Sequence, residues 1–139
     1  MTASPNFAAE WIGFASDDLQ AAEVLLNEEI YSQTCFHAHQ CVEKCLKAFL
    51  ISKGDSPRRI HDLNELYTQC SKYKESELKQ FADDIAALNN FYIPTRYPDA
   101  FPDSLPDRLP NEKDAKEAVS TAATIFDAAQ RAVYHTEQK

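Results

Sequence analysis

The chain has 139 residues, 44% of them hydrophobic and 26% charged, the mixture of a soluble globular protein with room for a single core over residues 1–139. Its formal net charge of −8 excludes a general affinity for DNA or for an anionic membrane, because both need an extended cationic face. Two widely separated glycines, Gly13 and Gly54, exclude the glycine-rich phosphate loops of nucleotide-binding α/β folds.

No apolar run approaches the roughly 20 residues that cross a bilayer, and the N-terminus lacks the basic-then-apolar order of a secretory signal, so the expected location is the cytoplasm. Cys35, Cys41 and Cys45 crowd into one stretch of helical spacing, where side chains on successive turns do not meet disulfide geometry. With Cys70 they are read as reduced thiols.

In chain order, Ser4-Pro5 fits a helix cap and first position, and Trp11, Phe14, Ala15, Leu19, Ala22, Leu25 and Leu26 repeat at helical spacing as far as Glu28. A second helix is expected from Ser32 to Ser52, with Cys35, Ala38, Val42, Cys45, Leu46 and Phe49 on its apolar stripe and Gly54 to stop it. Ser56-Pro57 repeats the cap-then-proline signal, so a third helix is expected there, turning Ile60, Leu63, Leu66, Tyr67 and Cys70 inward. Ser76 is placed to cap a fourth, with Leu78, Phe81, Ala82, Ile85 and Leu88 in three-four spacing up to Asn90.

From Phe91 to Pro110 prolines stand at positions 94, 98, 102, 106 and 110, a spacing that no α-helix survives. This stretch is read as a long ordered loop or a stiff extended arm that forms part of the functional site. Asn111 followed by Asp114 has the form of a capping box and opens a last helix, in which Ala118, Ala122, Ile125, Ala129 and Val133 make a narrow inward stripe. No strand-like alternation occurs. The expected fold is all-α, an up-and-down bundle of four to five helices with a long proline-rich loop before the last one.

Charge is segregated along the chain. Between Gln40 and His61, Lys44, Lys47, Lys53, Arg58 and Arg59 face only Glu43 and Asp55, which gives this segment +3 and the remainder −11. The run Gln40, Glu43, Lys44, Leu46, Lys47, Ala48 fits the pattern Q-x-x-E-K-x-L-K-A, and it is followed by His-Asp-Leu-x-x-Leu at His61 to Leu66 and by Arg-Tyr-Pro-Asp at Arg96 to Asp99. These three motifs, in this order over most of the chain, resemble the HEPN family, the higher eukaryote and prokaryote nucleotide-binding domain. The resemblance implies a helical bundle, commonly a homodimer, of the small bacterial or archaeal type encoded beside a minimal nucleotidyltransferase as a toxin–antitoxin-like pair. Many such relatives are metal-independent ribonucleases that use an arginine with a histidine after an intervening four to six residues. This chain departs from that pattern: the corresponding positions after Arg96 are Phe101, Pro102 and Asp103, and no histidine lies between Ala82 and Pro110. Arginine cannot replace it as a base at neutral pH.

The candidate ligand-binding residues are therefore Arg96 for a phosphate, Tyr97 as a stacking surface, Asp99 as an acceptor for sugar or base, Lys44 and Lys47 one turn apart on the second helix, and His61 near Arg58 and Arg59. Against each stands a structural reading: Arg96 pinning the proline loop through Asp99 or Glu43, the lysines as a solvated face, His61 as part of the first turn of the third helix. Trp11 and Phe14 are read as core or dimer contacts. His37, Cys41 and Cys45 share one stripe but lack a fourth ligand on their helix, so neither metal nor cofactor is expected. The leading functional reading is a module that binds a nucleotide, RNA or a nucleotidyltransferase. A ribonuclease using a non-standard histidine is the alternative, and an adaptor whose proline arm embraces a partner is a third.

Overall fold

The structure, a computed structural model, describes residues 5–73, 77–91 and 109–137, and within them all regular structure is helical. Helix α1 spans Pro5–Asn27, α2 Tyr31–Ser52, α3 Leu63–Cys70, α4 Ala82–Asn89 and α5 Glu112–Glu137, with a 3-10 turn at Glu77–Phe81 leading into α4. The expected all-α bundle is thus the fold. The candidate cap Ser4, the candidate cap Ser76 and the prolines at 94, 98, 102 and 106 lie outside the described residues.

Helix α1 packs on α2 through Ala8, Ile12, Ala15 and Ala22, with Leu19 and Leu26 extending the same stripe. These positions alternate spacings of four and three, so they form one face, and small residues let the two helix axes approach closely. Phe14, expected on that face, is instead 54% exposed. Ile12 holds the inward position, and Phe14 lies beyond the edge of the stripe, edge-to-face against Trp11 with ring centroids 6.4 Å apart.

The ends of α1 and α2 are built alike. After α1, the Ile30 N–H donates to the Leu25 carbonyl at 2.9 Å and the Glu29 N–H to Leu26 at 3.0 Å; after α2, Asp55 donates to Leu50 and Gly54 to Ile51, both at 2.9 Å. Each is the paired six-to-one and five-to-two closure that places one residue in the left-handed region. At the second end that residue is Gly54, with φ of 77°; at the first it is Glu29, with φ of 62°. The short α1–α2 connection makes the two helices antiparallel neighbours.

Helix α2 is the axis of the bundle, packed against α1 and α5 along its length and against α3 and α4 near its middle and end. Helix α5 covers it with Ala115, Ala118, Ala122, Ile125, Ala129 and Val133. Its start carries the expected reciprocal cap: the Asp114 N–H donates to Asn111 Oδ1, and the Asn111 N–H to Asp114 Oδ2, each at 2.9 Å.

Two expected boundaries move. The third helix begins at Leu63 rather than at Ser56-Pro57, because Asp62 caps it by accepting from the Asn64 and Glu65 N–H groups at 2.9 and 3.2 Å. The residues before it lie along α3, where Gln69 donates to the Ser56 carbonyl and accepts from the Arg58 N–H. The fourth helix is not continuous: the Tyr67 hydroxyl donates to the Lys79 carbonyl at 2.7 Å and occupies the acceptor that an uninterrupted α-helix would offer to Asp83.

A buried polar clasp joins α2, α3 and α4. His39 is fully buried and its Nε2 lies 3.2 Å from Asn89 Oδ1 at the end of α4. That same oxygen accepts the Leu63 N–H at 2.9 Å, while Asn89 Nδ2 donates to Asp62 Oδ1 at 3.3 Å. An amide oxygen only accepts, so His39 donates from Nε2. Desolvation by burial lowers the His39 pKa to about 4, and the ring is neutral at physiological pH.

Two outcomes follow. Substituting Glu29→Gly removes the side-chain penalty at positive φ and should raise the unfolding free energy by about 0.5–1 kcal/mol in urea titrations, after the greater freedom glycine gives the unfolded chain is subtracted; a loss of stability would show that Glu29 is unstrained. As pH falls below 6.5 the unfolded chain takes up a proton at His39 that the folded chain refuses until about pH 4. Stability is therefore lost progressively across that window, by about 3 kcal/mol in total, and His39→Gln, which keeps a neutral donor, should flatten this part of the stability curve relative to wild type.

Candidate functional site

Three elements enclose a cleft of about 490 Å³: the start of α1 with Phe7 and Trp11, the end of α2 with Lys47 and Ile51, and the connection to α3 with Asp55 to Arg59 and His61. Phe7 and Trp11 are four residues apart, as are Lys47 and Ile51, so each helix presents two successive turns to the opening. Trp11 is half-buried and Phe7 is 48% exposed, which leaves aromatic surface lining the walls.

Polar groups converge on this aromatic wall. The Lys47 Nζ stands 5.7 Å from the centroid of the Trp11 ring and donates to Glu43 Oε2 at 3.0 Å. Glu43 is only 4% exposed, and its other oxygen, Oε1, accepts from His61 Nδ1 at 2.9 Å. One buried carboxylate thus fixes two cationic or proton-carrying side chains of the cleft. Because Nδ1 donates, a neutral His61 ring carries its basic lone pair on Nε2. Arg58 and Arg59, both exposed, complete the cationic rim. Asp55, the acid that lines it, is already engaged by Lys72 at 2.7 Å, by the Tyr73 hydroxyl at 2.8 Å and by the Ser56 N–H at 2.8 Å. The hydrogen bond from Lys72 leads the causes that hold its carboxyl below the usual carboxylate range, so it stays ionised and counterbalanced.

The sequence-derived candidates divide. Lys47 and His61 meet here together with Arg58 and Arg59. Lys44 does not line the cleft: it pairs with Asp18 of α1, which also accepts from His37 Nδ1 at 3.1 Å. The two lysines differ in their acids: Lys44 reaches across to Asp18 on α1, whereas Lys47 pairs with Glu43 four residues before it on α2. Arg96, Tyr97 and Asp99 lie outside the described residues. His61 precedes α3 rather than standing in its first turn, and the carboxylate expected to receive Arg96, Glu43, is engaged by Lys47 and His61.

The thiols take no part in the cleft. All four cysteines are free and buried. Burial pushes Cys35 and Cys70 up to about 12 and raises Cys45 well above its ordinary value, so these sulfurs stay protonated and are poor nucleophiles and metal ligands. Among the described residues no three His, Cys, Asp or Glu side chains are gathered closely enough to hold a metal ion, and no helix is long and apolar enough to cross a membrane.

Sequence reasoning missed the aromatic wall and the role of Glu43. The signals were present in the four-residue spacings Phe7 to Trp11 and Glu43 to Lys47, but which helix faces they opposed depended on how α1 and the connection to α3 pack on α2.

Comparison with known proteins agrees with this architecture. The protein named "Putative toxin MJ1304" of Methanocaldococcus jannaschii is 29% identical over 131 residues, covering 88% of this chain and 85% of its own length. The crystal structure of TT1696 from Thermus thermophilus superposes with a TM-score of 0.76 at 27% identity, over 90% of this chain and 97% of that one. That of ST0689, described as an archaeal HEPN homologue, gives 0.70 at 26% identity, over 91% and 97%. The family model of the HEPN domain matches residues 8–132, and the chain belongs to the HEPN family.

Proposed function

We propose that the cleft beside Trp11 binds the phosphate and base of a nucleotide or of single-stranded RNA, and that the protein acts as a binding module. The observation that carries this reading is the meeting of an aromatic wall, Phe7 and Trp11, with Lys47, Arg58, Arg59 and His61 in one opening of a chain whose net charge is −8. Stacking on an aromatic face is sequence-tolerant, and guanidinium groups recognise phosphate oxygens in pairs. A volume of about 490 Å³ is within the usual range of small-molecule sites. Arg96, Tyr97 and Asp99 remain further candidates for the same ligand. The relative whose name includes "toxin" supports placing the chain in a toxin–antitoxin-like pair, and the expected homodimer and minimal nucleotidyltransferase partner belong to this proposal.

A second reading, a metal-independent ribonuclease, draws on the His61–Glu43 pair. A carboxylate that accepts from Nδ1 orients the imidazole so that Nε2 can remove a proton. In such a reaction Nε2 would take the ribose 2′-hydroxyl proton, the 2′-oxygen would bond to the adjacent phosphorus, and the 5′-oxygen would leave with a proton from solvent. The products are a 2′,3′-cyclic phosphate and a free 5′-hydroxyl.

Trp11 is the sole tryptophan of the chain, so its fluorescence reports on the cleft directly. Titration with AMP and with a short single-stranded RNA should quench it saturably. The double variant Arg58→Ala, Arg59→Ala should weaken RNA binding at least tenfold and lower the slope of log affinity against log salt by roughly 0.7 for each phosphate no longer neutralised. Unchanged quenching in the double variant would remove the cleft as the binding site. Incubating the same RNA in chelator separates the two readings: cleavage by wild type that His61→Ala abolishes establishes the enzyme, and intact RNA under saturating binding establishes the module.

A further inference from the structure

His61 sits at the end of a connecting segment with 61% of its side chain exposed, a place where an imidazole would ordinarily sample several rotamers. Two sets of contacts oppose that freedom. The ring is held from one side by Glu43 at 2.9 Å. The backbone immediately after it is held through Asp62, which caps α3 and accepts from Asn89 Nδ2 at 3.3 Å.

Asn89 is itself over-determined. Its Oδ1 faces two donors, His39 Nε2 at 3.2 Å and the Leu63 N–H at 2.9 Å, and this fixes which end of the amide is oxygen. The amide nitrogen is thereby aimed at Asp62. The arrangement places a fully buried histidine where a leucine would pack without needing a partner. A clasp built only for stability would not need a titratable ring that destabilises the fold on acidification. The titratable groups facing it are Glu43, His61 and Asp62, of which His61 lines the cleft and Glu43 holds both His61 and Lys47 there.

We propose that Asn89, oriented by neutral His39, is a positioning residue that holds Asp62 and, through it, His61 in register with Glu43 at the nucleotide cleft. This rests on the cleft reading for its functional consequence, whereas its structural half is independent of any ligand. The sequence of contacts runs from α2 at His39, through the end of α4, to the start of α3, and returns to α2 at Glu43. His61 is therefore set by two points of one rigid helix, Glu43 being one turn beyond His39.

Long-range proton–nitrogen NMR of the imidazole rings tests this on the full chain, with the four histidines assigned by substitution. In wild type at neutral pH, His39 should show the Nε2–H form and His61 the Nδ1–H form. Asn89→Ala should convert His61 to the tautomer mixture of an exposed imidazole and weaken binding of a short single-stranded RNA, read by Trp11 fluorescence, by about tenfold, the size of one hydrogen bond's contribution. His39→Leu should behave in the same way, and His39→Gln, which retains a neutral donor, should restore both signals. A folded Asn89→Ala protein that keeps the Nδ1–H form of His61 overturns the proposal. If that variant does not fold, the wild-type spectra decide, because a His39 ring in the Nδ1–H form overturns it equally. Absence of RNA binding by wild type would instead remove the cleft reading and leave the tautomer result to decide the positioning role on its own.

Discussion

Burial of α2 on nearly every side is the constraint from which the rest of the molecule follows. A helix enclosed in this way cannot send most of its polar side chains to water, and several of them find partners within the protein. Glu43 meets Lys47 and His61, His39 meets Asn89, His37 and Lys44 meet Asp18, and the Cys70 thiol lies 3.7 Å from the Leu46 carbonyl. These pairings add directional contacts from α1, α4 and the segment before α3 to α2, beside the apolar ones. They also place the partners of buried groups at the surface, and His61 is the clearest instance: its ring reaches inward to a buried carboxylate while most of its side chain faces solvent.

The segregation of charge acquires a spatial meaning once the chain is folded. The segment from Gln40 to His61 contains the end of α2 and the connection that follows it, and both stretches line the cleft. An excess of acid elsewhere keeps other surfaces from attracting anions, so a phosphate would be drawn to this opening by contrast with its surroundings. The aromatic contribution comes from the far end of the sequence. Phe7 and Trp11 reach the cationic wall only because α1 runs antiparallel to α2 and brings its first turns beside the last turns of its neighbour.

Much of the fold was legible because it obeys local rules. The capping box of α5, the stop at Gly54 and the alanine stripe of α5 each follow from residues a few positions apart, and the structure contains all three. What local rules miss is competition from distant groups. Ser56-Pro57 reads as a helix start, yet Asp62 wins because the loop before it is satisfied by Gln69. The fourth helix reads as continuous, yet the Tyr67 hydroxyl takes one of its carbonyls. The site was harder still. Lys47 and His61 were visible as residues, but the partition of Lys44 to Asp18 and of Lys47 to Glu43 depends on where α1 brings Asp18 against α2, and Trp11 reads as core because it borders the same stripe as Ile12.

The buried thiols have a consequence for how this molecule can be observed. Protonated and shielded in the folded state, Cys35, Cys45 and Cys70 react with an alkylating reagent only during excursions that expose them. They sit on two different elements, Cys35 and Cys45 on α2 and Cys70 at the end of α3. Labelling rates at these positions therefore separate detachment of the small α3 flap from opening of the whole bundle, and they turn the cysteines into clocks for two distinct breathing motions of the same fold.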